Sequence, residues 1–426
     1  MPDSGSMPRA HRLKPALGAA LALAFAIGLA LAPGAAADTD RRDLQNTRLI
    51  SKSVSGGVPD GASTNAVISS DRRYARLIAF ESEATDLVHG DTNGLKDLFA
   101  IKRAGTIANE GAPWHGGSAI LVSRGRFGAP ADGPSFGAAV SGDFDHRARC
   151  IAFLSAATNL VSGDTNARVD AFLVRKAGGS PTRVSLPRRA QALLDSTAVA
   201  VSGDCSRTSF VTGGELFTYK RARSGRVRVR RVPTAGPVGH ISYAVGDSNT
   251  LAFDTPAGVF LSRRGVRRPR LVAPGGSNPA FNELKRSTLA YEAQRDGHTQ
   301  ILYKDLGGGE TVISDRGGAL GDGDSRDPVI GNSGYYVTFE SEASNLGVSA
   351  LGRPGDYNGS ADAYLYTDVR KITLVQSVEE KAVPVPGGGQ NPSMSYYANY
   401  VLFDSPAPLG LGGSANQVFM RYLGPV

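Results

Sequence analysis

Three stretches of this 426-residue chain carry one oxygen-rich phrase: Gly90-Asp91-Thr92-Asn93-Gly94-Leu95-Lys96-Asp97, Gly163-Asp164-Thr165-Asn166-Ala167-Arg168-Val169-Asp170 and Gly355-Asp356-Tyr357-Asn358-Gly359-Ser360-Ala361-Asp362. Counted from the first Asp of each, side-chain oxygens fall at positions one, three and seven around a turn, the hard donors that Ca2+ prefers. Asp91, Asn93, Asp97, Asp164, Asn166, Asp170, Asp356, Asn358 and Asp362 are therefore the candidate metal ligands. Ca2+ is the one cofactor the sequence suggests. A plainer reading uses the same residues as Asx turns, with Asn-Gly supplying positive φ and the last Asp leading into a strand.

Signals for catalysis are poor. The Gly133-Pro134-Ser135-Phe136-Gly137 match to a nucleophile elbow precedes a strand and has no helix after it. The histidines beyond the leader, His89, His115, His146, His240 and His298, stand singly, with no His-x-x-x-His, Cys-x-x-Cys or phosphate loop. Glu81, Glu340 and Asp404 could converge as a carboxylate pair for glycoside cleavage. Each directly follows an aromatic residue in a strand, however, which points to a role on a sheet face. No catalytic residue is assigned.

The two cysteines, Cys150 and Cys205, fall on the same end of neighbouring repeat units, so a disulfide is geometrically available in an oxidising compartment. Arginine is concentrated in two runs, Arg221, Arg223, Arg226, Arg228, Arg230 and Arg231, then Arg263, Arg264, Arg267, Arg268 and Arg270. They form a candidate basic flank for an acidic protein, an anionic glycan or a lipid surface, against the plainer reading of solvated edge arginines. The runs lack interleaved aromatics, which argues against nucleic acid.

The elements that must position these residues repeat seven times. In the second strand of each unit a large aromatic is followed two positions later by Ser, Thr or Ala: Phe80 and Ser82, Phe153 and Ser155, Phe210 and Thr212, Phe253 and Thr255, Tyr291 and Ala293, Phe339 and Ser341, Phe403 and Ser405. A third strand follows in each unit, as in Asp97-Leu98-Phe99 or Asp170-Ala171-Phe172, and a short apolar strand such as Ala66-Val67-Ile68-Ser69 precedes the pair. Four strands per unit is the pattern of a propeller blade. The fold class predicted is all-β: a seven-bladed β-propeller of four-stranded antiparallel blades. The seventh unit lacks a fourth strand, and Arg48 to Ser53 is the unpartnered segment that would complete it and close the ring.

The phrases Ser69-Ser70-Asp71 before Ile78-Ala79-Phe80-Glu81-Ser82, and Ser141-Gly142-Asp143 before Ile151-Ala152-Phe153, resemble the Ser-x-Asp-Gly signature of TolB-type, WD-repeat-like bacterial propeller repeats. The resemblance spans nearly the whole chain after the leader. The glycine after Asp is absent from both copies, and the fifth unit, Asn282-Glu283-Leu284-Lys285, has lost the polar turn. Separately, the Asp-rich loops resemble the calcium loops of integrin-type propellers, in a shorter form with one acid fewer. The TolB resemblance implies an extracytoplasmic binding protein, while propellers as a class host many functions.

At the N-terminus Arg9, Arg12 and Lys14 precede the apolar run from Ala16 to Ala32, and Ala35-Ala36-Ala37 offers a cleavage site before Asp38. Residues 1–37 read as a signal peptide, 38–46 as a short leader and 47–426 as one propeller domain. Its blades are expected near 65–125, 134–187, 195–233, 238–274, 276–316, 326–377 and 390–426 with 47–54. Losing the leader removes three cations and one anion, taking the formal charge of +8 to about +6. The expectation is an exported monomer with no membrane span after cleavage, binding a protein or anionic cell-envelope ligand. A hydrolase or lyase with its site at one mouth of the channel is the alternative. The segments 105–117, 124–133 and 347–355 are the longest insertions and the natural places to meet a partner.

Overall fold

The computed structural model describes residues 47–423 except 72–73, 105–113, 186–192, 223, 285–286, 332–333, 347–357, 368–370, 375–377, 380–382, 385–386 and 407–414. The segment 1–37 read as a signal peptide, Asp356, Arg223 and most of two long insertions lie outside the described residues. Among these residues no helix is long and apolar enough to cross a membrane.

Seven four-stranded antiparallel sheets form a ring, a seven-bladed β-propeller. Written from the innermost strand outward, blade 1 is Ser63–Ile68, Leu77–Ser82, Asp97–Lys102 and Ile120–Leu121; blade 2 is Ser135–Val140, Ile151–Ser155, Asp170–Val174 and Thr182–Arg183. Blade 3 is Ser196–Val201, Arg207–Thr212, Glu215–Arg221 and Val227–Arg231; blade 4 is Ile241–Tyr243, Thr250–Thr255, Gly258–Arg263 and Arg270–Pro274. Blade 5 is Ser277–Asn282, Thr288–Arg295, His298–Asp305 and Glu310–Val312; blade 6 is Ser325–Ile330, Tyr336–Ser341, Asp362–Thr367 and Lys371–Leu374. Blade 7 takes Gln390–Met394, Tyr400–Ser405 and Gln417–Tyr422 from the end of the chain and Thr47–Leu49 from its beginning. Leu49 lies opposite Phe419 in that last pairing, so the ring is closed by the strand the repeat count had left over.

The aromatic periodicity becomes the cores of the blades. In six blades the second-strand aromatic faces a third-strand aromatic directly across the pair, with ring centroids 5.9 Å apart for Phe80 and Phe99 and 5.5 Å for Phe153 and Phe172. Blade 5 pairs Tyr291 with Leu302 instead. Such contacts help fill the wedge between neighbouring sheets, alongside the aliphatic residues of each core.

The small hydroxyl two residues after the aromatic, present in every blade but blade 5, has a different task. Ser82, Ser155 and Ser341 are buried and bond the inner-strand Ser63, Ser135 and Ser325 through their hydroxyls at 2.9, 2.9 and 2.8 Å. Ser135, the central residue of the nucleophile-elbow match, is thus one half of an inner latch and is fully buried. Its neighbour Gly133 runs against the backbone of Ala156 and Ala157, where a Cβ would lie 2.8 Å from main-chain atoms. Gly133→Ala is therefore expected to destabilise the protein by about 1–3 kcal/mol through overpacking, measured as a shifted denaturation midpoint. An unchanged midpoint would remove this account of the motif.

Candidate functional site

The inner strands meet the central channel, and six of them are broken by a bulge at the same place in the repeat. In five blades the bulged residue is left-handed: Asn65 (φ 52), Gly137 (φ 64), Asn278 (φ 45), Asp327 (φ 55) and Asn391 (φ 50). Glycine, Asn and Asp are the residue types that take this conformation most readily. The twist turns each bulge N–H away from its own ladder and toward the preceding blade.

What it meets there is a carboxylate. Asn65 N donates to Asp404 Oδ2 at 2.6 Å, Gly137 N to Glu81 Oε1 at 2.9 Å and Asn278 N to Asp254 Oδ2 at 2.7 Å. Asp327 N donates to Glu292 Oε1 at 2.8 Å and Asn391 N to Glu340 Oε2 at 2.9 Å. All five acceptors occupy the position directly after the aromatic peg. The bulge asparagines add side-chain bonds to the acid of their own blade, Asn65 to Glu81 at 3.1 Å, Asn278 to Glu292 at 2.8 Å and Asn391 to Asp404 at 2.9 Å. A belt of acids and amides thereby stitches five of the seven seams, each link a charge-assisted hydrogen bond.

Blades 2 and 3 carry Leu154 and Val211 where the other blades carry the acid. Their shared seam holds Cys150 and Cys205 instead, joined as a disulfide with Cα atoms 6.0 Å apart.

One end of the channel opens into a cavity of about 1000 Å3 lined by residues of blades 1, 2, 5, 6 and 7, which places it on the axis of the ring. Asn65, Asn278, Asp327 and Asn391 line it together with the apolar surfaces of Pro134, Phe136, Pro328 and Pro392. Lys96 sits 3.5 Å from Glu81 at the rim. The mouth is open and of mixed polarity.

Burial sets the protonation of the belt. Asp404 is fully buried, and desolvation pushes its carboxyl up to about 7, with the charges of Glu81 and Glu340 adding to the effect. Its second oxygen, Oδ1, has no hydrogen-bond partner among the described residues. Burial likewise raises Glu292 and Glu340. Asp254 is the exception: although burial opposes it, the hydrogen bonds from His240 hold it below the usual range, and that contact in turn raises the imidazole. The His240 Nδ1 to Asp254 Oδ2 distance is 2.8 Å. Glu81, Glu340 and Asp404 do come together, in a seam belt, with Glu81 Oε1 and Oε2, Glu340 Oε2 and Asp404 Oδ2 engaged by backbone and amide donors.

The oxygen-rich loops fold as Asx turns. Asn93 Oδ1 accepts the N–H of Leu95 at 2.9 Å, Asn166 Oδ1 that of Arg168 at 3.4 Å and Asn358 Oδ1 that of Ser360 at 2.8 Å. Gly94 and Gly359 take positive φ, as does Ala167 in the copy without glycine. Each asparagine amide donates to the final Asp: Asp97 at 2.6 Å, Asp170 at 3.0 Å and Asp362 at 3.0 Å. That Asp also accepts from a serine two residues past the outer strand, Ser123 for Asp97 and Ser185 for Asp170, both at 2.5 Å. In blades 5 and 7 a neutral glutamine does the same work, Gln300 with Ser314 at 2.6 Å and Gln417 with Ser51 at 2.7 Å. The last residue of the phrase is therefore a latch for the outer strand, and its charge is not required for that. Among the described residues no group of three or more His, Cys, Asp or Glu is placed to hold a metal ion.

The arginine runs occupy the outermost strands of blades 3 and 4 and the turns leading into them, with every described member exposed. Arg231 pairs with Glu215 at 2.7 Å and Arg263 with Glu283. Of the long insertions, 124–133 is described, and Phe127 projects from it 96% exposed.

No family model matches the chain, and no curated protein does. Among solved structures it is similar to the β-propeller domain of the Trilobed protease from Pyrococcus furiosus, at 10% identity and a TM-score of 0.48, covering 84% of this chain and 96% of that one. A protein assigned as TolB from Agrobacterium tumefaciens matches at 14% identity and a TM-score of 0.39, covering 57% and 93%. The Pyrococcus horikoshii acylaminoacyl peptidase matches at 10% and 0.48, covering 85% of this chain and 52% of that one. At these identities the likeness is one of fold. A TolB propeller is among the similar structures, whereas no family model supports the WD-repeat-like label.

Proposed function

We propose that the protein is an exported, TolB-like binding module that holds a segment of a protein partner in the channel mouth. The observation that carries this reading is the axial cavity of about 1000 Å3, whose rim alternates amides and acids with proline and phenylalanine surface. An extended peptide needs that combination: polar groups for its backbone and apolar surface for alternate side chains. Export rests on the leader signature in residues 1–37. The basic flank on blades 3 and 4 supplies a second contact, to an anionic envelope ligand, whose strength should fall as salt rises.

An enzymatic reading draws on one specific feature, the His240 and Asp254 pair beside the acid belt. The bonded partner of His240 is that carboxylate, and among the described residues no hydroxyl or thiol nucleophile is paired with the imidazole.

Capture from the extracytoplasmic fraction separates the readings. With the wild-type chain and a Glu83→Lys, Phe136→Asp variant as baits, the partner is expected on the wild type and at least roughly tenfold depleted on the variant, as for loss of a central contact. Equal capture by both baits removes the mouth as the site. Turnover of a peptide, ester or glycan that His240→Ala abolishes would replace the binding reading with the enzymatic one.

A further inference from the structure

The repeat supplies its own comparison at the oxygen-rich loops. In blade 2 the side chain of Arg183 lies between the two carboxylates, its Nη1 at 3.0 Å from Asp164 Oδ1 and 3.5 Å from Asp170 Oδ2. Arg183 stands opposite Phe172 in the sheet register, and in blade 1 the residue opposite the equivalent Phe99 is Leu121. Blade 1 therefore keeps both carboxylates, Asp91 and Asp97, and carries an aliphatic residue at the register position of Arg183.

The consequence is visible on Asp91. The residue is 5% exposed, and among the described residues its Oδ1 has no hydrogen-bond partner; the oxygens of Asp164 in blade 2 also lack one, but there the Arg183 guanidinium stands 3.0 Å away to balance the charge. Leaving a buried carboxylate oxygen without a donor or a positive charge is among the costlier arrangements a protein can keep. The loop around Asp91 is open to solvent at His89, Gly90 and Thr92, so a small ion and its waters have access.

We propose that the loop of blade 1 binds one oxygen-preferring divalent cation, Ca2+, between Asp91 and Asp97, in the place that Arg183 fills in blade 2. Water and neighbouring loop oxygens complete the shell, and Asn93 gives up its bond to Asp97 when the ion enters. With two carboxylates the affinity belongs at the weak end, a Kd on the order of 10⁻⁴ to 10⁻³ M, as in extracellular calcium modules. The site is a property of blade 1, because blade 2 carries its cation in the sequence.

CaCl2 titrated calorimetrically into the chelator-free full chain tests this by counting. Asp91→Asn is expected to bind one Ca2+ fewer than the wild type, and Arg183→Leu one Ca2+ more, because it recreates the blade 1 environment in blade 2. Only differences are read, so the loop containing Asp356 does not enter the result. At 10 mM CaCl2 the wild type should gain about 2 °C in Tm through binding to the native state alone, and Asp91→Asn should not. The isosteric amide preserves the fold, which its Tm without calcium verifies. A wild type that takes up no Ca2+, or equal counts in the wild type and Asp91→Asn, overturns the proposal.

Discussion

Deleting Thr47–Ser53 is expected to lower the melting temperature by about 10 °C and to make the protein associate, because this segment closes the ring. Leu49 and Ile50 are each 6% exposed, and burying an aliphatic side chain of this size contributes roughly 1.5–3 kcal/mol. Ile50 N bonds Val418 O at 2.8 Å, and the hydroxyl of Ser51 both accepts from Val418 N at 3.1 Å and donates to Gln417 at 2.7 Å. Losing these bonds leaves the buried Gln417 with an unpaired oxygen, a further penalty of about 1–3 kcal/mol. Together these come to several kcal/mol, about 10 °C for a domain of this size. The deletion also strips the cover from Gln417–Tyr422, an edge rich in apolar residues and ready to pair with another chain. Circular dichroism melts and size-exclusion chromatography read both effects. Leu49→Asp should move the melt in the same direction. A truncated chain that melts with the wild type and remains monodisperse would show that the terminal strand does not hold the ring.

The second large effect is a pH dependence centred on Asp404. Its folded carboxyl titrates at about 7, above the ordinary 3.8, so the native state binds this proton more tightly than the unfolded chain does. The stabilisation this gives is complete below about pH 4 and is lost as pH rises toward 7. At 1.36 kcal/mol per unit the shift corresponds to at most about 4 kcal/mol. Asp91, titrating at about 6, and His240, also raised, act in the same direction, so stability should fall between pH 5 and pH 8. Asp404→Asn keeps an oxygen for Asn65 N–H and the Asn391 amide while removing the charge from a site with an unpartnered oxygen. The variant should melt above the wild type at pH 8, lose that advantage at pH 5 and show a flatter profile between. Parallel curves for the two proteins would assign the pH dependence elsewhere.

The blades were legible because their signal is local. An aromatic flanked by strand formers survives in every unit, with a small hydroxyl two residues on in six of the seven, and a spare strand at one end answers a missing one at the other. The inner strands were harder to see. The expected start in the first unit, Ala66, falls after the bulge, whereas the strand begins at Ser63. A residue with positive φ breaks the alternation on which a strand is recognised, so only its second half looked like one. A usable sign was present: Ser, one residue, then Asn, Gly or Asp before Ala or Pro, in Ser63 to Ala66, Ser135 to Ala138 and Ser325 to Pro328.

The acids Glu81, Glu340 and Asp404 show the division most clearly. Their place after the aromatic is a fact of sequence, but their partners lie in the next blade, and no spacing along the chain reports on a neighbour 50 or more residues away.

Taken alone, the sequence determined the seven-fold repeat, the four-strand unit and the closing segment, because each depends on side-chain period and on turn residues within one unit. Tertiary structure decided which carboxylates became seam acceptors, which latched a serine and which stood beside an arginine or a leucine. Those outcomes depend on what a neighbouring strand or blade places a few ångströms from each oxygen, and desolvation and charge then act over that distance.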